Sequence, residues 1–351
     1  MQTVLIENKS IGPNSPAFII AEIGVNHEGN INNAKTLIEL AARAGADAVK
    51  FQIYKAEELS TKDSPAYWKG GLSQYESFKE IRNFNESEYE LLANYAKKNG
   101  LIFFASAFDE ESVKLLFELK VPLFKIASGE ITNIPLLKQI ALKDKPMIIS
   151  TGGATMQEIE DVVNYCKNLG NDQVILLHCM LNYPTDYSDA NLLTISELKK
   201  FFPNYIIGYS DHTLSGNNDI VGAIAISLGA KVVEKHFTLK KIDFPDLGAT
   251  DHFIAADPKD LKRYIDNIRL TEKLLGRPIE RPNDIEKGVL LARRSIVSKK
   301  KILKGEIILR ENLTTKRPGI GIEPKYIDKI VGRRAALDID EDKIITWKDI
   351  K

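Results

Sequence analysis

Cysteine is scarce in this chain of 351 residues: two are present, Cys166 and Cys179. Two cannot build a disulfide framework, and their scarcity favours a reducing compartment. Long apolar runs are missing as well. Stretches such as FII and IIS are strand-sized, far below the ~20 residues of a membrane span. The opening MQTVLIENKS lacks the charged-then-apolar pattern of a signal peptide. A cytoplasmic protein with no membrane partner is the expectation. Net charge is absent too, because 48 Lys+Arg balance 48 Asp+Glu. That removes any global pull toward nucleic acid, though local basic pockets remain open. What is present is ordinary for a globular chain: 44% hydrophobic and 27% charged residues, which excludes disorder and collagen-like repeats. The length predicts two domains, or one large domain with an appendage.

Eight short β-rich runs recur: FIIAEIG from Phe18, AVKFQIY from Ala48, IFFASAF from Ile102, LFKIASG from Leu123, PMIISTG from Pro146, VILLHCM from Val174, YIIGYSDH from Tyr205 and KVVEKHF from Lys231. Near-continuous apolar runs suit parallel strands buried on both faces. Helix-period segments lie between them, among them NAKTLIELAARAGA with Ala34, Leu37, Ile38 and Ala41 on one face and a stop near Gly45. This alternation predicts an α/β protein, a (β/α)8 TIM barrel, with an open doubly wound sheet as the competitor. The segment KAEELSTKDSPAYWKGGLSQYESFKE reads as a long loop after the second strand. Residues 1–17 read as a small hairpin that plugs the barrel bottom, with Gly12-Pro13-Asn14 as the turn. The predicted boundaries are a barrel over 1–280, a linker over 281–293 and a second, small domain over 294–351, marginal in size by itself.

A barrel of this kind carries its site at the C-terminal ends of the strands. Glu22, Asn26 and His27 fall there, as do Lys50 and Gln52, Ser106, Lys125 and Ser128, Ser150, His178 and Tyr183, Ser210 and His212, and Glu234 to His236. So many polar groups in an apolar layer would each cost a few kcal/mol if buried unpaired. A ligand-binding mouth explains them together. Lys50 and Lys125 with several serines form a cationic cup suited to a phosphate or carboxylate. For either lysine alone, pairing with a carboxylate is the plainer reading. His212 and His236 end adjacent strands, so their imidazoles can approach one divalent metal; two hydrogen-bonded structural histidines are the alternative. His178 is a conceivable third ligand if alternation turns it inward, and Cys179 reads as core. Glu22 is a candidate acid/base or holder of substrate hydroxyls, or else a salt-bridge partner of Lys50 or Lys125.

These residues resemble the sialic acid synthase family, the nonulosonate synthases. AEIGVNHEGN, GADAVKFQ, KIASGEITNIPLL, IISTGGAT, LLHCMLNYPT, IGYSDHT, GAKVVEKHFTL and ENLTTKRPGIG occur in the family's order over nearly the whole chain. The tail from about Arg294 resembles the family's antifreeze-like (SAF) domain. The resemblance implies that phosphoenolpyruvate condenses with the aldehyde of N-acetylmannosamine or a related N-acylated deoxy sugar. A nine-carbon 2-keto acid and phosphate result, with a divalent cation, Mn2+ or Mg2+, as cofactor. It implies His212 and His236 as metal ligands, and Lys50, Ser106, Lys125, Ser128, Ser150 and Ser210 as the phosphoenolpyruvate site. It implies Glu22, Gln52, Tyr183 and Asp251 as sugar contacts, with Arg317 reaching a neighbouring subunit's sugar site in a homodimer with exchanged C-terminal domains. The chain departs from the family in DFPDLGATDHF after the eighth strand and in Met180-Leu181-Asn182, while KGGL resembles pseudaminic acid synthases. Legionaminic and pseudaminic acid synthases, a Kdo-8-phosphate-synthase-like enzyme, a Schiff-base aldolase on Lys125 or Lys50, and a binding protein built on the SAF-like tail are the competing readings.

Overall fold

The computed structural model describes residues 3–66, 72–216, 219–242, 251–276 and 288–351. Tyr67, Trp68, most of KGGL, residues 243–250 of the divergent segment and residues 281–287 of the expected linker lie outside the described residues. The chain divides into two compact units, Met1–Gly276 and Arg277–Lys351.

The first unit opens with an antiparallel hairpin, β1 (Val4–Ile6) and β2 (Lys9–Ile11). Its turn falls at Glu7 and Asn8, with Glu7 at φ 52°, not at Gly12-Pro13-Asn14, which follows β2. Eight strand–helix repeats come next: β3 (Phe18–Gly24), α1 (Ile31–Ala44), β4 (Ala48–Ile53), α2 (Ala56–Leu59), α3 (Gln74–Glu80), α4 (Glu86–Lys98), β5 (Ile102–Ala107), α5 (Glu110–Glu118), β6 (Phe124–Ile126), α6 (Ile134–Ala141), β7 (Met147–Ser150), α7 (Met156–Asn168), β8 (Val174–Cys179), α8 (Leu193–Phe201), β9 (Ile206–Asp211), α9 (Val221–Ser227), β10 (Val232–His236) and α10 (Pro258–Leu275). The strands close in the order β10-β3-β4-β5-β6-β7-β8-β9, all parallel. The barrel is therefore as the sequence predicts.

Each βα unit is set by local signals. Asn30 caps α1 by accepting from the Asn32 and Asn33 amides, and Gly45 ends it at φ 96°, a left-handed position that suits glycine. Ala34, Leu37, Ile38 and Ala41 face inward. The segment expected as one long loop after β4 instead contains α2 and α3, and a Ser73–Glu76 capping box starts α3. The helix α8 supplies the crossover between β8 and β9, which the barrel expectation required but no helix-period segment marked.

Period-two alternation sorts the strand residues into two cores. Outward-facing side chains such as Val49, Phe51, Leu176 and Val233 pack under the helices. Inward-facing Phe18, Ile20, Ala48, Ile102, Phe104, Leu123, Ile148, Ile175, Leu177, Ile206 and Val232 fill the lower interior with Val4, Ile6 and Ile11 of the hairpin. The hairpin thus plugs the bottom, and solvent access is left to the strands' C-terminal ends.

In the second unit α11 (Val289–Ala292), β11 (Ser295–Ser298), β12 (Leu313–Lys316) and α12 (Ile327–Ile330) are joined by turns, with β11 and β12 antiparallel. The helical turn α11 stands inside the stretch expected as linker. Ile296, Ile302, Ile308, Leu313, Ile322, Ile330, Ile339 and Ile345 form a core of their own, more than the sequence suggested for so short a domain. No helix among the described residues is long and apolar enough to cross a membrane.

Candidate active site

Two residues above the apolar floor, the same inward-facing positions turn polar. Ladder pairs place His236 beside Glu22, Glu22 beside Lys50, Gln52 beside Ser106, Ser106 beside Lys125, Cys179 beside Ser210, and Ser210 beside Glu234. Strand register brings these polar groups together on either side of β7, and the Lys125–Ser150 hydrogen bond carries the ring onto that strand. The ring lines a cavity of about 280 Å³ that also receives Ser128, Ser150, Tyr183, His212 and Asp251. Every barrel residue that the resemblance assigned to metal, phosphoenolpyruvate or sugar lines this cavity, whereas Asn26, His27, His178 and Lys235 do not. Arg317 lies in the second unit, exposed, just after β12.

The ring is knit by charge. Lys50 Nζ lies 2.6 Å from Glu22 Oε2 and 3.7 Å from Glu234 Oε1, and Lys125 Nζ lies 3.9 Å from Glu234 Oε1. Gln52 donates to Glu22 Oε1 at 2.9 Å, Lys50 to Ser106 Oγ at 3.2 Å, Lys125 to Ser150 Oγ at 2.7 Å, and Ser210 to Glu234 Oε1 at 3.0 Å. Glu22 therefore is a salt-bridge partner, as its plainer reading held, yet it also faces the cavity. Burial pushes the Glu22 carboxyl up, against the pull of Lys50. Burial would likewise lift Glu234, but the two ammonium groups outweigh it and hold that carboxyl down. Lys50 is raised because Glu22 and Glu234 overcome its burial, whereas burial leaves Lys125 lowered.

Glycine makes room at two points. Gly24 sits at φ 52° after the bulge that ends β3, and a Cβ there would lie 2.9 Å from Glu22 Oε1. At Gly152 the backbone N–H donates to Ser128 Oγ at 3.0 Å, and a Cβ would meet that oxygen at 2.8 Å.

The two histidines converge, with ring centroids 5.3 Å apart. His212 Nδ1 is 2.6 Å from the Met180 carbonyl, which holds a proton there, and Nε2 faces the Tyr183 hydroxyl at 3.1 Å; burial would lower this histidine, but Cys179 and the Met180 carbonyl raise it. His236 Nδ1 is buried without a hydrogen-bond partner among the described residues, 3.4 Å from Asp251 Oδ2. Burial and the neighbouring His212 hold His236 well below the usual histidine range, so its ring is neutral, the form a metal ligand needs. Burial and Glu22 push Asp251 up to about 7. Asn26 fixes this corner: its Nδ2 donates to the Phe237 carbonyl and its Oδ1 accepts from the Asp251 amide. Among the described residues no three His, Cys, Asp or Glu side chains stand close enough to cage a metal. Two imidazoles are compatible with an open cation site whose remaining positions are filled by oxygens of water and substrate, unlike the four protein ligands of a structural zinc.

Three residues change standing. His178 is not a third ligand: alternation turns it outward, where Nε2 meets the Ala190 carbonyl at 2.8 Å. Cys179, read as core, faces the cavity with Sγ 3.7 Å from His212 Nδ1. Glu234, given no role from the sequence, is the hub of the ring. Its signal was available, since it precedes His236 by two residues on one strand and so shares its face. Lys235, between them, points outward to Asp211 at 3.5 Å.

With this geometry in place, the family model for the NeuB family matches residues 37–280 and that for the SAF domain residues 293–351. This chain belongs to the NeuB family. It is 40% identical to the N,N'-diacetyllegionaminic acid synthase of Legionella pneumophila, over 98% of this chain and 97% of that one. It is 42% identical to the N,N'-diacetyllegionaminic acid synthase of Campylobacter jejuni, over 93% and 98%. The solved structure of the N-acetylneuraminic acid synthetase of Leptospira borgpetersenii, in complex with citrate, superimposes with a TM-score of 0.71 at 36% identity, covering 82% of this chain and 96% of that one. The chain is thus an enzyme of the synthase type, a TIM barrel followed by a SAF domain.

Proposed function

We propose that this NeuB-family enzyme condenses phosphoenolpyruvate with the open-chain aldehyde of an N-acylated amino sugar, giving a nine-carbon 2-keto sugar acid and inorganic phosphate. The observation that carries the reading is the ring itself: two lysines and four serines face two converging imidazoles across one cavity. Lys50, Lys125, Ser106, Ser128, Ser150 and Ser210 hold the phosphate and carboxylate of phosphoenolpyruvate. Glu22, Gln52, Tyr183 and Asp251 hold the sugar hydroxyls, so that the enol carbon and the aldehyde meet as a bound pair. Carbon 3 of phosphoenolpyruvate bonds to the aldehyde carbon, whose oxygen takes up a proton, with Glu22 placed to relay it. Water adds to carbon 2 and gives up its proton. Loss of phosphate with cleavage of the C–O bond leaves the ketone. A Mn2+ or Mg2+ ion held by His212 and His236 would supply Lewis-acid polarisation of the aldehyde.

Two relatives at 40% and 42% identity make diacetylated legionaminic acid by name. They favour a 2,4-diacetamido deoxy sugar over N-acetylmannosamine as the acceptor. Burial lowers Lys125, the one observation on the side of a Schiff-base aldolase. Lys125 Nζ nevertheless donates to Ser150 Oγ and to the Ile126 carbonyl at 3.0 Å, as an ammonium does. The exposed Arg317 is proposed to complete the sugar site of a neighbouring subunit in a cytoplasmic homodimer with exchanged C-terminal domains.

The test is phosphate release and product mass from phosphoenolpyruvate with N-acylated mannose-type sugars. Activity lost on chelation and restored by manganese is expected, and undiminished activity after thorough chelation would reject the metal. In the same assay Arg317→Ala should raise the sugar KM more than the phosphoenolpyruvate KM. An unaffected sugar KM would remove the cross-subunit assignment, and a borohydride-trapped adduct on Lys125 would favour the aldolase.

A further inference from the structure

The floor and rim of the cavity differ in chemistry. The floor is ionic, whereas the rim carries Phe78, Phe108 and Leu181. Phe108 follows Ser106 by two residues at the end of β5, which sets it one layer nearer the mouth on the same side. Phe78 comes from α3, whose start is pinned by its capping box. Both rings stand edge-on to the buried Tyr54, with centroids 5.3 Å away at 63° and 6.1 Å away at 85°. Leu181 lies over the turn after β7, where a Cβ on Gly153 would come within 2.8 Å of its Cδ1. The three side chains line one cavity as its apolar wall, Phe78 and Phe108 gathered on Tyr54 and Leu181 just after β8.

Resting on the condensation reading above, the geometry points to Phe78, Phe108 and Leu181 as specificity-determining residues that receive an apolar substituent of the sugar. That substituent is one that N-acetylmannosamine lacks: a second acyl methyl, or a methyl carbon where another sugar carries a hydroxymethyl. The wall's side chains offer no donor or acceptor, so a hydroxyl set against it sheds water without replacement, and a phosphate does so at greater cost. The polar rim groups Gln52, Tyr183 and Asp251 remain for the hydroxyls of the chain.

The experiment compares kcat/KM for a 2,4-diacetamido-2,4,6-trideoxy sugar, N-acetylmannosamine and its 6-phosphate. The proteins are the full-length wild type, Phe108→Ser and Leu181→Ser, each with phosphoenolpyruvate and manganese. The wild type is expected to prefer the deoxy sugar by about 10- to 200-fold, the range that one apolar pocket contact gives. Phe108→Ser should cut that ratio by about 10-fold or more, while the KM for phosphoenolpyruvate stays nearly constant. Leu181 is 37% exposed, so Leu181→Ser tests the wall with the fold intact even where Phe108→Ser unfolds. Ratios unchanged in both variants, or a wild type that prefers the 6-phosphate, would overturn the wall while leaving condensation standing. No turnover of phosphoenolpyruvate with any of the three sugars would overturn the condensation reading, and the wall with it.

Discussion

The lower and upper halves of the barrel interior are built on the same strands, two residues apart. Ala48 is followed on the inward face by Lys50, Phe104 by Ser106, Leu123 by Lys125, Ile148 by Ser150, and Val232 by Glu234. Below, the side chains meet only one another and the hairpin, and the layer is a packed core. Above, they meet as ions and hydroxyls around an open cavity. The pleat supplies the direction in both halves, and residue type alone decides which half stabilises and which reacts. Burial is nearly the same, with Lys50 3% exposed and Phe104 0%. The upper layer therefore carries desolvated charge that the lower one does not, and this cost marks it as the functional half.

The sharpest break in that comparison is to give the upper layer the chemistry of the lower. Lys50→Met leaves Glu22 and Glu234 buried without their shared cation. A loss of about 3–5 kcal/mol in unfolding free energy is expected, together with loss of turnover. The double variant Lys50→Met with Glu22→Leu should recover most of that stability in denaturant titrations and none of the activity. Stability lost further in the double variant would mean that the pair is a net stabiliser of the fold.

A smaller effect comes from the layer outside the strands. His27 lies 4.4 Å from the Phe84 ring, tilted by 34°, and accepts from the Gly29 amide through Nδ1. Burial, helped by Arg82, lowers it from 6.5 to about 4. The unfolded chain thus binds a proton that the folded one refuses between those values. The contribution is fully present above pH 6.5 and is lost as pH falls toward 4, in all about 3 kcal/mol. Tm scans across this window should show that fall in the wild type and a flatter profile in His27→Leu. Parallel profiles would remove His27 from the account.

The barrel was legible because its strands are near-continuous apolar runs bounded by polar ends, a pattern with few other readings. The site was legible for a related reason: polar residues at every strand end have no place in a plain core. What stayed hidden has physical causes. The helix α8 has no side-chain cap, and two of its apolar residues, Leu193 and Phe201, are 73% and 64% exposed, which blurs its inward face. The hairpin turn uses Glu7 at positive φ, where a sequence reader looks for Gly or Pro. The helix α3 did carry its signal, Ser73 three residues before Glu76, inside a stretch long enough to be taken for a loop. The directions of His178 and Cys179 required the strand's phase, which Ile175 and Leu177 reveal only once the barrel is closed. Arg317 belongs to the second unit, and its proposed role rests on the resemblance rather than on any pattern within the barrel.

The upper ring, and not the barrel as a scaffold, is expected to hold phosphoenolpyruvate. Calorimetric titration of phosphoenolpyruvate into the full-length enzyme, with manganese present, tests it most directly. Binding to the wild type and to Phe104→Leu is expected to agree within about threefold, whereas Lys125→Met should weaken it by about 100-fold or more, the scale of a lost charge-assisted pair. Equal affinity in Lys125→Met and the wild type would contradict the account.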